Sequence, residues 1–309
     1  MSDQIIVLGA GVIGLTTAVV LAESGRQVRV WSRDPAGETT SAVAGALWWP
    51  YRIEPADRVG AWALASLRVY EELAAEPEST GVRLVEGLHG GLRLAGLGPW
   101  AARVAGLAET PEGVRARLPL IDMPVHLAWL RRRLEAAGGT VESRAADTFP
   151  PAPVVVNCTG LGARELVPDP GVRPVRGQLV VVENPGVREW YTSVDHGAES
   201  TYFFPQPYGL LLGGTAHEDE WDLAPDPRTA AAIVARCARV RPEIAGARVL
   251  AHRAGLRPVR DAGVRIEAER TASGGLLVHH YGHGGAGVTV AWGCAREAAA
   301  LATSRAPLR

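Results

Sequence analysis

The chain contains no lysine: all 32 basic side chains among its 309 residues are arginine. That absence excludes a Schiff-base lysine, a pyridoxal-phosphate lysine and the lysine of a phosphate-binding P-loop. Cysteine is scarce as well. Cys158, Cys237 and Cys294 lie far apart without a Cys-x-x-Cys, so neither a disulfide framework nor a thiolate zinc site is expected, and a reducing cytoplasm is the natural setting. No apolar run reaches the roughly 20 residues that a spanning helix needs, and the N-terminus lacks the basic region and cleavage site of a signal peptide. The ending Ala306-Pro307-Leu308-Arg309 is not a Ser-Lys-Leu peroxisomal address. Membrane and export are therefore not expected. Neither sign of charge dominates; a net charge of -1 argues against electrostatic capture of nucleic acid.

What is present suits an ordinary globular protein, with 47% apolar and 21% charged residues and a length fitting one large or two intimately joined domains. Residues Gln4 to Leu8 form a short apolar run, Gly9-Ala10-Gly11-Val12-Ile13-Gly14 follows, and Leu15 to Glu23 is helical in composition. Gly25 suits a left-handed helix stop, and Gln27 to Trp31 alternates as a second strand. A βαβ unit results, with the glycines in the strand-to-helix turn where dinucleotide binding requires them. Gly9 allows the sharp turn, Gly11 lets backbone approach a pyrophosphate, and Gly14 lets the helix lie close on the strand. The helix N-terminus then faces the anion. Ser32-Arg33-Asp34 supplies an acid at about the right distance for the adenosine ribose, which points to Asp34.

Further along, Trp62 to Leu73 is helical in pattern, Glu76 to Gly98 is rich in glycine and turn residues, and Asp122 to Gly138 predicts a long helix stopped by Gly138-Gly139. Its Arg131-Arg132-Arg133 reads as a solvated face. Val154 to Asn157 is a buried strand running into Cys158-Thr159-Gly160. Val175 to Glu183 and Thr201 to Gly214 suggest strands of a different, more antiparallel sheet. Gly275 to Thr289 runs from strand to glycine-rich turn, ahead of a helix from Val290 to Thr303. The expected fold class is α/β: a Rossmann-like FAD-binding domain built from residues 1–51, 122–160 and 255–309. An inserted α+β substrate domain, residues 52–121 and 161–254, would hold a mostly antiparallel sheet. Such discontinuity favours FAD over NAD, because an extended FAD reaches from the first βα turn to an interdomain crevice.

The stretch Leu277-Val278-His279-His280-Tyr281-Gly282-His283-Gly284-Gly285-Ala286-Gly287, followed after five residues by Gly293-Cys294-Ala295, resembles the signature of the D-amino-acid oxidase family. Thr39 to Tyr51, Asn157 to Gly160, Arg176-Gly177-Gln178, Leu212 to Thr215 and Gly255 to Arg260 agree with the same family in chain order. The resemblance implies noncovalent FAD and the oxidation of a D-amino acid to its imino acid. Dioxygen would reoxidise the flavin to give hydrogen peroxide, and the imino acid would hydrolyse to a 2-keto acid and ammonia. Carried over, Arg257 would hold the substrate carboxylate, Tyr202 would donate to that carboxylate, and the Gly285 carbonyl would accept from the amine. Tyr51, Trp49 and Phe204 would line the pocket. Cofactor contacts would fall on Gly9, Ala10, Gly11, Val12, Ile13, Gly14, Arg33, Asp34, Thr39, Thr40, Ser41, Gly45, Ala46, Leu47 and Ala146, then on Thr159, Gly160, Gly282, Gly284, Gly287, Val288 and Thr289.

Elementary chemistry agrees with these assignments. A guanidinium matches a carboxylate with a fork of donors and cannot act as an acid. Glycines at 284, 285 and 287 let backbone lie against a flat ring. The positive helix end near Val288 and Thr289 would stabilise charge on a reduced flavin. No strong side-chain base is evident, so hydride transfer from Cα to flavin N5 with a neutral amine is the expected mechanism. His279, His280 and His283 have no obvious carboxylate or cysteine to complete a metal set, and no metal is expected.

Departures from the family pattern bear on detail. Asp195 to Tyr202 is shorter than in vertebrate members and lacks the second tyrosine of their lid, so a mobile lid is not expected. Arg33 and Asp34 stand in the reverse order. D-aspartate oxidases carry an arginine where this chain has Ala216, so a neutral or apolar substrate side chain fits better, although Glu199, His196 and His217 leave room for a basic or polar one. D-aspartate oxidase and glycine oxidase are the rival activities, and an NAD-dependent dehydrogenase is the rival from another class. The expected partners are a D-amino acid and dioxygen, with a homodimer left open.

Overall fold

The computed structural model describes residues 4–193, 199–271 and 274–304. One sheet comprises β1 (Gln4–Leu8), β2 (Gln27–Ser32), β6 (Thr140–Ser143), β7 (Val154–Asn157), β14 (Arg265–Arg270) and β15 (Leu276–Tyr281), in the order β14-β15-β7-β1-β2-β6. Its pairings are parallel except that of β14 with β15. Burial on both faces accounts for the unbroken apolar run Ile5-Ile6-Val7-Leu8 in its central strand, where all four side chains are buried. Helices α1 (Val12–Glu23), α4 (Met123–Ala136) and α7 (Gly287–Thr303) contribute to the core with it. Helix α2 (Ala56–Leu73) lies along α7, and Gly293 permits the approach: a Cβ there would meet the backbone of Trp62. The Gly293 amide donates to Ser66 Oγ at 3.0 Å.

The other sheet has nine strands: β3 (Val82–Gly90), β4 (Ala108–Thr110), β5 (Gly113–Ile121), β8 (Val172–Val182), β9 (Trp190–Ser193), β10 (Glu199–Gln206), β11 (Gly209–Thr215), β12 (His217–Glu218) and β13 (Val249–Arg260). Only β3 and β9 pair in parallel. Strand alternation gives the sheet two faces. Phe203, Leu210 and Leu212 pack behind it with Ile233 and Cys237 of α6 (Pro227–Val240). Tyr202, Phe204 and Leu211 belong to the front, with the main core. Helix α6 starts where its sequence dictates, with Pro227 in the first turn and the Asp226 carboxylate accepting from the amides of Arg228 and Thr229 at 3.2 and 2.9 Å. Among the described residues two single-turn helices, α3 (Pro77–Thr80) and α5 (Ala163–Leu166), complete the α-helices.

Three elements differ from the sequence expectation. The glycine-rich stretch 76–98 contains the nine-residue strand β3, in which Gly87 leaves space for the Trp190 ring. Helix α7 begins at Gly287, three residues early, because tertiary bonds hold its first turn: Tyr70 donates to the Val288 carbonyl at 2.8 Å and Thr289 bonds the backbone of Trp49. Strand β13 runs twelve residues and pairs along β8 as far as Arg260, within the nine-stranded sheet.

Candidate active site

The parallel sheet reverses its strand order at β1, whose neighbours are β7 and β2, and the crevice at such a point is where nucleotides collect. Gly9 sits there with φ 104°, its amide donating to the Trp31 carbonyl at 2.8 Å; a Cβ at Gly9 would lie 2.5 Å from the Cys158 carbonyl oxygen. A Cβ at Gly14 would collide with the Gly9 carbonyl, so this turn accepts only glycine at both places. Gly11 caps α1 without any side-chain hydrogen bond to the first turn. Ser41 Oγ accepts from the Val12 amide at 3.0 Å and joins the turn to the segment Thr39–Leu47. The close approach that the glycines permit and the start of α1 at this turn, with no cap from the side chain of its N-cap residue, fit a pyrophosphate. Asp34 stands two residues past β2 with its carboxylate 3.0 Å from Arg33 Nη2; Arg33 is exposed and Asp34 half-buried. Thr159 and Gly160 follow β7 on the opposite side of β1, with Gly160 at φ 57°. Ala146 packs among Ile6, Trp31 and Leu277 at the sheet's other face.

Ala46 adopts φ 58°, a left-handed conformation rare for alanine. Its carbonyl accepts from the Ile121 amide at 3.1 Å, and Leu47 bridges Leu120, so β5 holds the segment in place. Gly45 lies against Phe204, which stacks on Tyr202 at 4.9 Å between ring centroids. The segment predicted to touch cofactor therefore also backs the segment predicted to touch substrate.

Arg257 and Tyr202 come from β13 and β10, which the strands β8 and β11 separate. They meet because glycines pave the strands between them. A Cβ at Gly177 on β8 would lie 2.6 Å from Arg257 Cζ, and one at Gly214 would lie 2.6 Å from the Tyr202 hydroxyl. Arg257 Nη1 donates to the Thr215 carbonyl at 2.9 Å, fixing one edge of the guanidinium. Burial pushes the Tyr202 hydroxyl pKa up, against an opposing pull from Arg257, so the phenol stays protonated. Tyr51 lies near enough to add to the upward shift. Gly285 completes the group: its Cβ position is 3.3 Å from Arg257 Cδ.

Trp49 is tied through its backbone to Thr289, at 3.2 Å for its amide and 3.0 Å for its carbonyl, while its ring packs on Trp100 and His89. Gly282, Gly284 and Gly287 bound the turn between β15 and α7, with Gly282 and Gly284 at φ 87° and 52°. His279 contacts Glu269 at 3.2 Å, away from His280 and His283, whose rings are 4.9 Å apart. Glu199 is engaged by Arg236 of α6 at 3.1 Å on the back of the sheet, which removes it as a free acceptor for a basic substrate. His196 lies outside the described residues, as does part of the shortened stretch from Asp195.

Sequence reasoning did not single out Arg236, Thr215 or Gly177 as parts of the site. Gly177 and Thr215 carried a usable signal, in the stretches Arg176-Gly177-Gln178 and Leu212 to Thr215, and Arg236 carried none. Arg236 donates to the Gly214 carbonyl at 3.1 Å, and Gln178 accepts from the Asp226 amide at 2.9 Å while its own amide donates to Thr215 Oγ1 at 3.0 Å. The backbone beneath Tyr202 and Arg257 is thus braced from behind.

The profile of the DAO family, described as FAD dependent oxidoreductase, matches residues 4–301. The chain is 65% identical over 310 residues to a D-amino-acid oxidase of Streptomyces coelicolor, covering 97% of each chain. It is 47% identical over 311 residues to a D-amino-acid oxidase of Rubrobacter xylanophilus, covering 96% of this chain and 95% of that one. Among solved structures, glycine oxidase from Bacillus cereus superposes with a TM-score of 0.77 at 18% identity, over 96% of this chain and 94% of that one, which establishes the fold alone. With a dinucleotide cradle at the switch point and a family match spanning almost its whole length, this chain belongs to the DAO family of FAD-dependent oxidoreductases.

Proposed function

We propose that the chain is a D-amino-acid oxidase, converting neutral or apolar D-amino acids and dioxygen to 2-keto acids, ammonia and hydrogen peroxide. The observation that carries this reading is the convergence of Arg257, Tyr202 and the Gly285 turn from three separate parts of the fold. Relatives bearing that name support it. Residues 1–51, 122–160 and 255–309 would form the FAD-binding domain and the remainder the substrate domain, except that residues 255–260 pair with β8 in the nine-stranded sheet and Trp49, Tyr51, Arg257 and Gly285 reach the substrate from the FAD side of the chain.

Bound noncovalently along the Gly9–Gly14 turn and the Gly282–Gly287 turn, FAD would supply the acceptor for a hydride from the substrate Cα, with dioxygen as the final oxidant. The protein's part is binding and orientation. With one edge of Arg257 committed to Thr215, the remaining donors meet the carboxylate in a single orientation. Tyr202, kept protonated by burial, donates to the same carboxylate. The Gly285 carbonyl accepts from the amine. Fixing carboxylate and amine leaves one enantiomer with its Cα hydrogen toward the ring, and an L-amino acid presents its side chain instead. The N-terminus of α7, at Val288 and Thr289 and without a side-chain cap, would favour negative charge on a flavin held there.

Phe204, Tyr51 and Trp49 would form an apolar wall, Ala216 offers no cation to a second carboxylate, and Glu199 is paired with Arg236. D-valine or D-methionine should therefore outperform D-aspartate, glycine and D-arginine. A cytoplasmic setting belongs to the same proposal, and assembly as a homodimer is to be tested by light scattering. The decisive experiment mixes the yellow protein anaerobically with D-methionine and then L-methionine. Bleaching by the D enantiomer alone, lost in Arg257→Ala with FAD retained, is the expected result. Bleaching by glycine or D-aspartate in its place would move the assignment to a rival activity.

A further inference from the structure

Beneath the turn that carries Gly285, three ligating side chains converge in the core. His280 ends β15 near its last residue, His283 follows in the turn, and Cys294 lies on α7. One ligating atom from each lies within 4.8 Å of the other two, and all three side chains are buried. Only the packing of α7 on the sheet brings Cys294 to the histidines.

Thr17 fixes the tautomer of His280. Its hydroxyl donates its single proton to the Ile13 carbonyl at 2.7 Å and lies 3.1 Å from His280 Nδ1. Toward the imidazole it can only accept, so Nδ1 carries the ring proton and Nε2 keeps a bare lone pair. Neither that Nε2 nor the Nε2 of His283 has a hydrogen-bond partner, although both rings are buried. Buried nitrogens without partners are costly, and an ordered water or an ion is the usual remedy. A hydroxyl fixing the ring from its far side is also the support that metal-ligating histidines ordinarily have.

We propose that His280, His283 and Cys294 form a binding site for a monovalent thiophilic d10 cation of the Cu(I) or Ag(I) type. Two neutral imidazoles and one thiol select soft ions over calcium or magnesium. Burial selects the charge: the thiol releases its proton to solvent as the sulfur–metal bond forms, no electron moves, and a monovalent ion with one thiolate leaves a neutral centre. Zinc would leave a net positive charge in the core. Metal bonds of the order of 2 Å to nitrogen and sulfur, as at zinc sites, would let one ion bridge the three atoms after a closure of at most about 1 Å. The site is linked to the proposed active site through backbone, since His283 bridges Val259, two residues from Arg257, and its carbonyl accepts from the Ala286 amide at 3.1 Å.

Ag(I), which needs no reductant, is the probe. FAD-loaded protein is titrated and the bound silver counted by native mass spectrometry and equilibrium dialysis, first with all three thiols present and then in a Cys158→Ala/Cys237→Ala background. One silver per chain in both, lost in Cys294→Ala, weakened at least tenfold in His280→Asn and undisplaced by excess Zn(II), is the expected pattern. No bound silver, stoichiometry unchanged by Cys294→Ala, affinity unchanged by His280→Asn, or Zn(II) binding as tightly as Ag(I) would each overturn the proposal. The His280→Asn variant keeps the test open should a cysteine variant fail to fold, and none of these readouts depends on the substrate assignment.

Discussion

Arg236 Nη2 donates to the Gly214 carbonyl at 3.1 Å, one residue before the Thr215 carbonyl that receives Arg257 at 2.9 Å. The two guanidiniums thus hold consecutive peptide groups of one strand end. Arg236 touches no proposed substrate position, and its own charge is balanced by Glu199. Its role would be to position Tyr202 and Arg257 through β11. Loss of a hydrogen bond to a charged group costs about 1.5 to 3 kcal/mol. Arg236→Met should therefore raise the substrate Kd in anaerobic titration by about tenfold, with Arg236→Lys recovering part of the loss. A lowered Tm with unchanged Kd would reduce Arg236 to a stabilising contact.

Gly177 tests whether the carboxylate anchor depends on its bed as well as its charge. A methyl at this position would lie 2.6 Å from Arg257 Cζ and must displace the guanidinium. Gly177→Ala should keep FAD and lose at least tenfold in kcat/KM for a D-amino acid. An unaltered KM would mean that the guanidinium can move aside without consequence.

Tyr202→Phe isolates the hydroxyl, because the ring's stacking on Phe204 and its seat over Gly213 and Gly214 survive. A hydrogen bond to a charged carboxylate is worth about 1.5 to 3 kcal/mol. Substrate affinity should fall by at least about tenfold, while thermal stability stays within about 1 kcal/mol of the parent.

Acid stability should follow the buried histidines. His126 is fully enclosed, its Nδ1 is 2.8 Å from the Thr80 carbonyl, and burial lowers its pKa from 6.5 to about 4. Burial likewise lowers His283 to about 3. Below pH 6.5 the unfolded chain binds protons that the folded chain refuses, so stability is complete above that pH and declines as pH falls toward 4. The His126 share is on the order of 3 kcal/mol across this window. His126→Asn, which can still donate to Thr80, should flatten the slope of unfolding free energy against pH by up to one proton. An identical slope would mean that His126 protonates in the folded state without penalty.

The βαβ unit at the N-terminus was legible because its signals are local: a buried strand is a continuous apolar run, and the turn after it accepts only glycine at Gly9 and Gly14. The Gly282–Gly287 turn stood out by its glycines in the same way, whereas Arg257 was picked out as carboxylate anchor only by the family resemblance, with which the planar fork of a guanidinium agrees. Strand β3 was hidden by its glycines, which serve a ring on another strand rather than a turn. Arg236 was hidden among the arginines of an amphipathic helix, and Cys294 stood apart from the histidines by more than ten residues of chain. Sequence alone therefore determined where the cofactor turn begins, because that rests on short-range sterics, and it pointed to a chemistry only through the likeness of whole motifs to the D-amino-acid oxidase family. Tertiary structure decided which side chains meet. Arg257, Tyr202 and Gly285 converge only through the pairing of β13, β8, β11 and β10 and the packing of α7, and that pairing depends on burial and register between segments far apart in the chain.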